Sequence, residues 1–138
     1  MKVLIISLAI VSILVIYIVY SFRRMKNMPE VEKSQKILDL TDKNFNNQIK
    51  NNITLVDFWA AWCVPCKMMA PVLNDLADNI SNDVRICKVN VDEYGTLANK
   101  FSVRGIPTII IFRDGKEVDR VVGVKPKEFL LGRINKLK

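Results

Sequence analysis

Two hydrophobic periods alternate along most of this chain, after an opening run that has neither. From Val3 to Phe22 the sequence VLIISLAIVSILVIYIVYSF is apolar apart from three serines and the hydroxyls of Tyr17 and Tyr20. Twenty residues at helical rise cover about 30 Å, the thickness of a bilayer core, so the run predicts a transmembrane helix over about 3–22. The tyrosines near one end suit the membrane interface. A cleaved signal peptide would have a shorter apolar region, about 7–15 residues, and then a small-residue cleavage site. The run leads instead into RRMKNMPEVEK. The chain therefore divides into a membrane anchor at 1–24, in contact with lipid, a polar linker at 25–34 and a folded domain at 35–138.

Within the domain, KILDL is a short strand, and TDKNFNNQIK a helix with Thr41 placed to cap it and Phe45 and Ile49 one turn apart. NITLVDFWA is a dense β-branched and aromatic run, of the kind buried on both faces of a parallel sheet. CVPCKMMAPVLNDLADNI carries a helical stripe at Met68, Val72, Leu76 and Ile80, with Pro71 inside it. DVRICKVNVD is the next strand and TLANKF a short helix. PTIIIFRDGKEVDRVVG is two strands joined at Asp114-Gly115, a strong hairpin signal. KPKEFLLGRINKL closes the chain as a helix with Phe129, Leu130, Ile134 and Leu137 apolar. The order β-α-β-α-β-α-β-β-α predicts an α/β domain whose central mixed sheet is flanked by helices.

Charge and composition narrow the chemistry. The net charge is +7, of which +3 falls in residues 1–33. In the domain the signs are interspersed, which describes a solvated surface and not a nucleic-acid interface. Lys2 and the amino terminus precede the apolar run, and Arg23, Arg24 and Lys26 come directly after it. The positive-inside tendency thus places the domain in the cytoplasm, with the periplasmic or extracellular side as the alternative. The sequence contains no histidine. That excludes imidazole acid–base catalysis, Cys-His nucleophile pairs and metal sites that need imidazole.

There are three cysteines. Cys87, in a strand-like run, reads as a small buried hydrophobe. Cys63 and Cys66 form a Cys-x-x-C. Half of a zinc site would need further ligands, and one more cysteine without histidine cannot complete a four-ligand Cys/His set. Reversible disulfide chemistry is the other use, and strand, Cys-x-x-C, helix is the arrangement that serves it. At the helix start, free backbone N–H groups and the positive end of the dipole favour a thiolate on Cys63. Cys66 lies one turn on, at roughly the Cα separation a disulfide requires. Pro65 falls in the first turn, where a missing N–H costs little. Cys63 is thus expected as the exposed nucleophile and Cys66 as the shielded resolving thiol. Asp57 stands among Leu55, Val56, Phe58 and Trp59. Burial there would raise its pKa and make it a proton acceptor for the resolving thiol. The alternatives are a water-exposed strand end or pairing with Lys88, and pairing does not preclude proton transfer.

DFWAAWCVPCK closely resembles the thioredoxin family, as do AP at 70–71, KVNVD at 88–92, RGIPT at 104–108, FRDGKEV at 112–118 and VVG at 121–123. The resemblance implies the thioredoxin fold and reduction of protein disulfides through a redox-active Cys63–Cys66 pair, with no other cofactor. It implies proton handling by Asp57 assisted by Lys88, and a cis Pro107 after Ile106 beside the disulfide. Trp59 and Trp62 would flank the site, with Trp62, Ile106 and Gly123 forming the surface that meets substrate. The implied partners are protein disulfide substrates and an electron donor such as a thioredoxin reductase. Val64 departs from the family's commonest motif, which has glycine there, and so bears on reduction potential and docking. Two alternatives stand beside a tethered reductant: an outward-facing relay that keeps exported thiols reduced, and a non-catalytic docking module.

Overall fold

The computed structural model describes residues 2–26 and 31–138 and divides into two compact units, Met1–Glu30 and Val31–Lys138. The first holds one helix, α1 (Lys2–Lys26). Its window Ile5–Arg24 has a mean hydropathy of 2.6 and none of it is buried, so it is long and apolar enough to cross a membrane. Within it, the Ser12 hydroxyl donates back to the Ala9 carbonyl at 2.8 Å, which satisfies a polar group in an apolar helix without a partner from outside.

The second unit contains β1 (Ile37–Asp39), α2 (Phe45–Ile49), β2 (Ile53–Trp59), α3 (Val64–Asn79), β3 (Val84–Asn90), α4 (Gly95–Lys100), β4 (Thr108–Arg113), β5 (Lys116–Val122) and α5 (Lys127–Asn135). The sheet order is β1-β3-β2-β4-β5. β1 and β2 run parallel to β3, while β4 is antiparallel to both β2 and β5. β2 is therefore central and paired on both edges. Its side chains alternate between two cores. Ile53 and Leu55 join Met69, Leu73 and Leu76 of α3 and Leu130 and Ile134 of α5 on one face. Val56 and Phe58 join Phe45, Leu97, Ile110 and Phe112 on the other. A strand covered on both sides needs apolar residues at successive positions, which is why NITLVDFWA shows no polar alternation.

Two expectations are corrected in detail. Thr41 does not cap α2. Asn44 occupies the N-cap and makes no side-chain cap bond. Thr41 opens the preceding turn instead: its carbonyl accepts from the N–H groups of Asn44 and Phe45, and its own N–H donates to Asn44 Oδ1. The buried stripe of α3 is Cys66, Met69, Leu73, Leu76 and Ala77, with Met68 exposed. Leu76 is buried as expected and Val72 and Ile80 pack partly buried against the same core, while Met69 takes the place expected of Met68. In α5, Leu130 and Ile134 are buried, but Phe129 stays at the surface, with Lys125 and Arg133 near its ring.

The linker expected over 25–34 lies partly outside the described residues, at 27–30. Beyond them the chain is already held against the distal half of α3. Asn74 Nδ2 donates to the Glu32 carbonyl at 2.8 Å, and the Ser34 N–H donates to Asn74 Oδ1 at 2.9 Å. The Ser34 hydroxyl and Lys36 Nζ donate to the Asp78 carboxylate and carbonyl.

Asp114 and Gly115 form the β4–β5 turn with φ of 50° and 82°, the left-handed pair that a two-residue hairpin uses. The Gly115 N–H donates to the Ile49 carbonyl at 2.8 Å and the Asp114 N–H to the Asn52 carbonyl at 3.1 Å. A Cβ at Gly115 would meet only Lys50 Cα, at an ordinary 3.7 Å. The cost of Gly115→Ala is then conformational, roughly 1 kcal/mol, and should appear as a lower urea midpoint at unchanged slope.

Candidate functional site

β2 ends at Trp59, and the turn after it delivers Cys63 to the N-cap of α3. Cys63 and Cys66 are joined as a disulfide with Cα atoms 5.2 Å apart. Cys63 has an extended backbone at the cap, and its Sγ accepts the Cys66 N–H at 3.1 Å. The sulfur thus takes one of the free donors that a helix start leaves over. When the disulfide opens, the same donor and the helix dipole would stabilise negative charge on that sulfur. Pro65 in the first turn removes a donor that the helix does not need. Val64, beside it, is partly exposed.

Burial does not separate the two cysteines into an exposed and a shielded thiol, as their order along the chain suggests. Cys63 is 4% exposed and Cys66 3%. Position separates them: Cys63 sits at the cap and Cys66 one turn inside the helix. Beside Cys63 lies the loop before β4. The Ile106–Pro107 peptide bond is cis, and the Ile106 carbonyl oxygen is 3.7 Å from Cys63 Sγ. The Gly123 N–H donates to the Pro107 carbonyl at 2.9 Å. Gly123 has φ 81°, and a Cβ there would meet nothing within 4 Å. Backbone angle, and not crowding, accounts for glycine at this position.

Trp62 is 65% exposed, yet its indole N–H donates to Asp92, at 3.0 Å to Oδ2. A large aromatic held in water by a directed bond forms a fixed wall. With Val91, Val103, Arg104 and Ile106 it lines an open groove of about 380 Å³ beside the disulfide. The sequence pattern assigns no role to Asp92. Its place at the end of the KVNVD run is visible, but its contact with Trp62 depends on how the β3 end and the turn after β2 meet.

Asp57 pairs in register with Lys88 of β3 and Ile109 of β4. By strand alternation it shares a face with Leu55, the face that α3 covers. It is 1% exposed, and its Oδ1 has no hydrogen-bond partner. Burial pushes the carboxyl from its ordinary 3.8 up to about 7, against the opposing pull of the Lys88 charge. A water-exposed strand end is thereby excluded for Asp57, and proximity to Lys88 is retained. A carboxyl with that value exchanges a proton near neutrality. Lys88 itself is 9% exposed, with Nζ 4.1 Å from the centroid of the Trp59 ring. Cys87 is fully buried and outside the disulfide, and burial pushes its thiol up to about 12. Among the described residues no cluster of His, Cys, Asp and Glu could hold a metal ion.

The Thioredoxin family model matches residues 36–136. A thioredoxin of Staphylococcus saprophyticus is 51% identical over 100 residues, covering 72% of this chain and 96% of the relative. A thioredoxin of Staphylococcus aureus is 47% identical over the same shares. Among solved structures, a point-mutant thioredoxin from Halobacterium salinarum NRC-1 superposes with a TM-score of 0.68 at 33% identity. That match covers 77% of this chain and 94% of the other.

The raised Asp57 carboxyl couples stability to pH. Its folded pKa lies above its unfolded one, so its contribution is fully present below about pH 4 and is lost as pH rises through about 7. The loss is on the order of 4 kcal/mol by linkage. Asp57→Asn should therefore raise the urea midpoint at pH 8 and change it little at pH 4. The Lys88 ammonium, deprived of the Asp57 charge in the variant, will reduce the gain. Equal shifts at both pH values would assign the effect to packing.

Proposed function

The chain belongs to the thioredoxin family and is a thiol–disulfide oxidoreductase, and from that premise we propose that it reduces disulfides of protein substrates while tethered to a membrane. The observation that carries the reading of the site is the N–H of Cys66 donated to Cys63 Sγ at the start of α3. In the reduced protein that donor favours the Cys63 thiolate. The thiolate attacks one substrate sulfur, a mixed disulfide forms, and the other substrate sulfur leaves as a thiolate. Cys66 then gives its proton to Asp57 and attacks the Cys63 sulfur. The second substrate thiolate is released and the Cys63–Cys66 disulfide is left. A reductase would return the domain to its dithiol form. Substrate would lie in the groove between Trp62 and Ile106, across the open position at Gly123.

Cys63→Ser should abolish reduction of insulin followed by turbidity, and Cys66→Ser should accumulate mixed disulfides with targets. Equal trapping by both variants would reverse or void these roles. Asp57→Asn should slow the resolving step more than the attack, at the low end of the roughly 10²–10⁴-fold range typical of acid–base groups, because a thiol also loses its proton to water. Single-turnover rates across pH separate the two steps.

The tether is carried by α1, with its unburied apolar window Ile5–Arg24. Arg23, Arg24 and Lys26 at the C-terminal end of the apolar run outweigh Lys2 before it, which favours a cytoplasmic domain and cytosolic thiols as its working medium. Deletion of residues 1–24 should move the protein from the membrane fraction to the soluble one. Protease added to right-side-out vesicles should spare the domain; digestion from outside would assign it to the exported side and reverse the expected redox surroundings.

A further inference from the structure

Asp57, Lys88 and Trp59 share one face of the sheet. Asp57 and Lys88 are register partners on adjacent strands, and Trp59 lies two residues beyond Asp57 on the same strand. Lys88 Nζ lies 4.1 Å from the Trp59 ring centroid, within the range in which a ring face attracts an ammonium. Lys88 is almost buried, so the attraction acts where water screens it little. On its outer side Lys88 lines a cleft of about 260 Å³ together with Trp59, Asp39, Asn90, Glu93 and Tyr94. That cleft offers the ammonium another place. Asp39 and Glu93 are acidic, though Asp39 is paired with Lys33 and Glu93 accepts from Asn90. A lysine stem is flexible, so any weakening of what draws its end toward Asp57 shifts it toward those carboxylates and water.

We propose that the ring of Trp59 holds the Lys88 ammonium beside the Asp57 carboxyl, so that Trp59 is a positioning residue for the proton acceptor of the resolving step. This deepens the proton role proposed for Asp57 and rests on it. The register sets Asp57 beside Lys88 of β3 and Ile109 of β4, and of these Lys88 is the titratable group. The groups that face Lys88 are Asp57 and Trp59 from β2, Asp39 from β1, and Glu93 and Tyr94 from the segment after β3. Lys88 lowers the proton affinity of Asp57. Release of the ammonium into the cleft must then raise it and deplete the accepting form at neutral pH. Loss of the ring also admits water, which acts in the opposite direction. The sign of the change therefore tells the two effects apart.

The test is the titration of Asp57, followed through its carboxyl ¹³C resonance in the reduced full-length protein in detergent micelles. Trp59→Leu should raise the midpoint by about half a pH unit or more, through the weakened pull of the Lys88 charge on the Asp57 carboxylate. Trp59→Phe, which keeps an aromatic face, should restore most of the wild-type value. Lys88→Gln should raise the midpoint by itself, and adding Trp59→Leu to it should raise it no further. A downward shift in Trp59→Leu, or an equal shift with and without Lys88, would overturn the proposal. A second measurement needs no variant. The ε-methylene protons of Lys88 should resonate upfield of the other lysines through the ring current of Trp59, and an ordinary lysine position would overturn the proposal whatever the variants do. Both readouts are independent of turnover. Failure of the disulfide-reductase reading would appear in the insulin assay of the unmodified protein and not here.

Discussion

Everything at the site depends on β2 being paired on both edges and covered on both faces. A strand so enclosed has no freedom to shift its register by one residue, because the shift would exchange its two cores. That fixes which face Asp57 takes, and the only way to keep a carboxyl there is to hold it with little water. The same rigidity sets the point at which the chain leaves the sheet after Trp59, and so the place where α3 begins. The unsolvated acid and the capping sulfur are two results of one constraint, joined through the end of β2 and the three turn residues 60–62.

The two halves of the site are built from different materials. The sulfur side relies on backbone: an N–H at the start of α3, the Ile106 carbonyl and the Gly123 N–H. Backbone donors and acceptors are set by fold and do not swing away when the disulfide opens. The carboxyl side consists of side chains: Asp57, the Lys88 ammonium beside it in register, and the Trp59 ring face near that ammonium. The groove beside the disulfide uses neither. It is walled by Trp62, fixed from outside by Asp92, and by the loop before β4. The three parts are thus built separately, and on the proposed roles attack, proton movement and recognition would each change with little disturbance of the others.

Much of this is legible in the sequence because the signals are local. The Cys-x-x-C after a continuous apolar strand, the Asp114-Gly115 turn and the order of elements all come from neighbouring residues, and all are present in the fold. Asp57 can be read as a buried acid because its apolar neighbours are adjacent in sequence. Thr41 misleads because it and Asn44 are both good caps, and the choice depends on a turn closed by Thr41's own carbonyl. Met68 misleads in α3 because Met68 and Met69 are chemically equal, and only the sheet beneath decides which one is buried. The contact of Lys88 with Trp59 and that of Trp62 with Asp92 join residues about thirty apart in sequence, which a linear pattern does not bring together.

Cys87 makes the electron count of the domain all-or-none. Its side chain is sealed in the core, and burial holds its proton firmly. It presents neither a thiolate to capture a passing disulfide nor a third sulfur with which the active pair could exchange. The domain therefore carries two reducing equivalents or none, with no one-thiol side branch in which a mixed disulfide could be stranded away from the site.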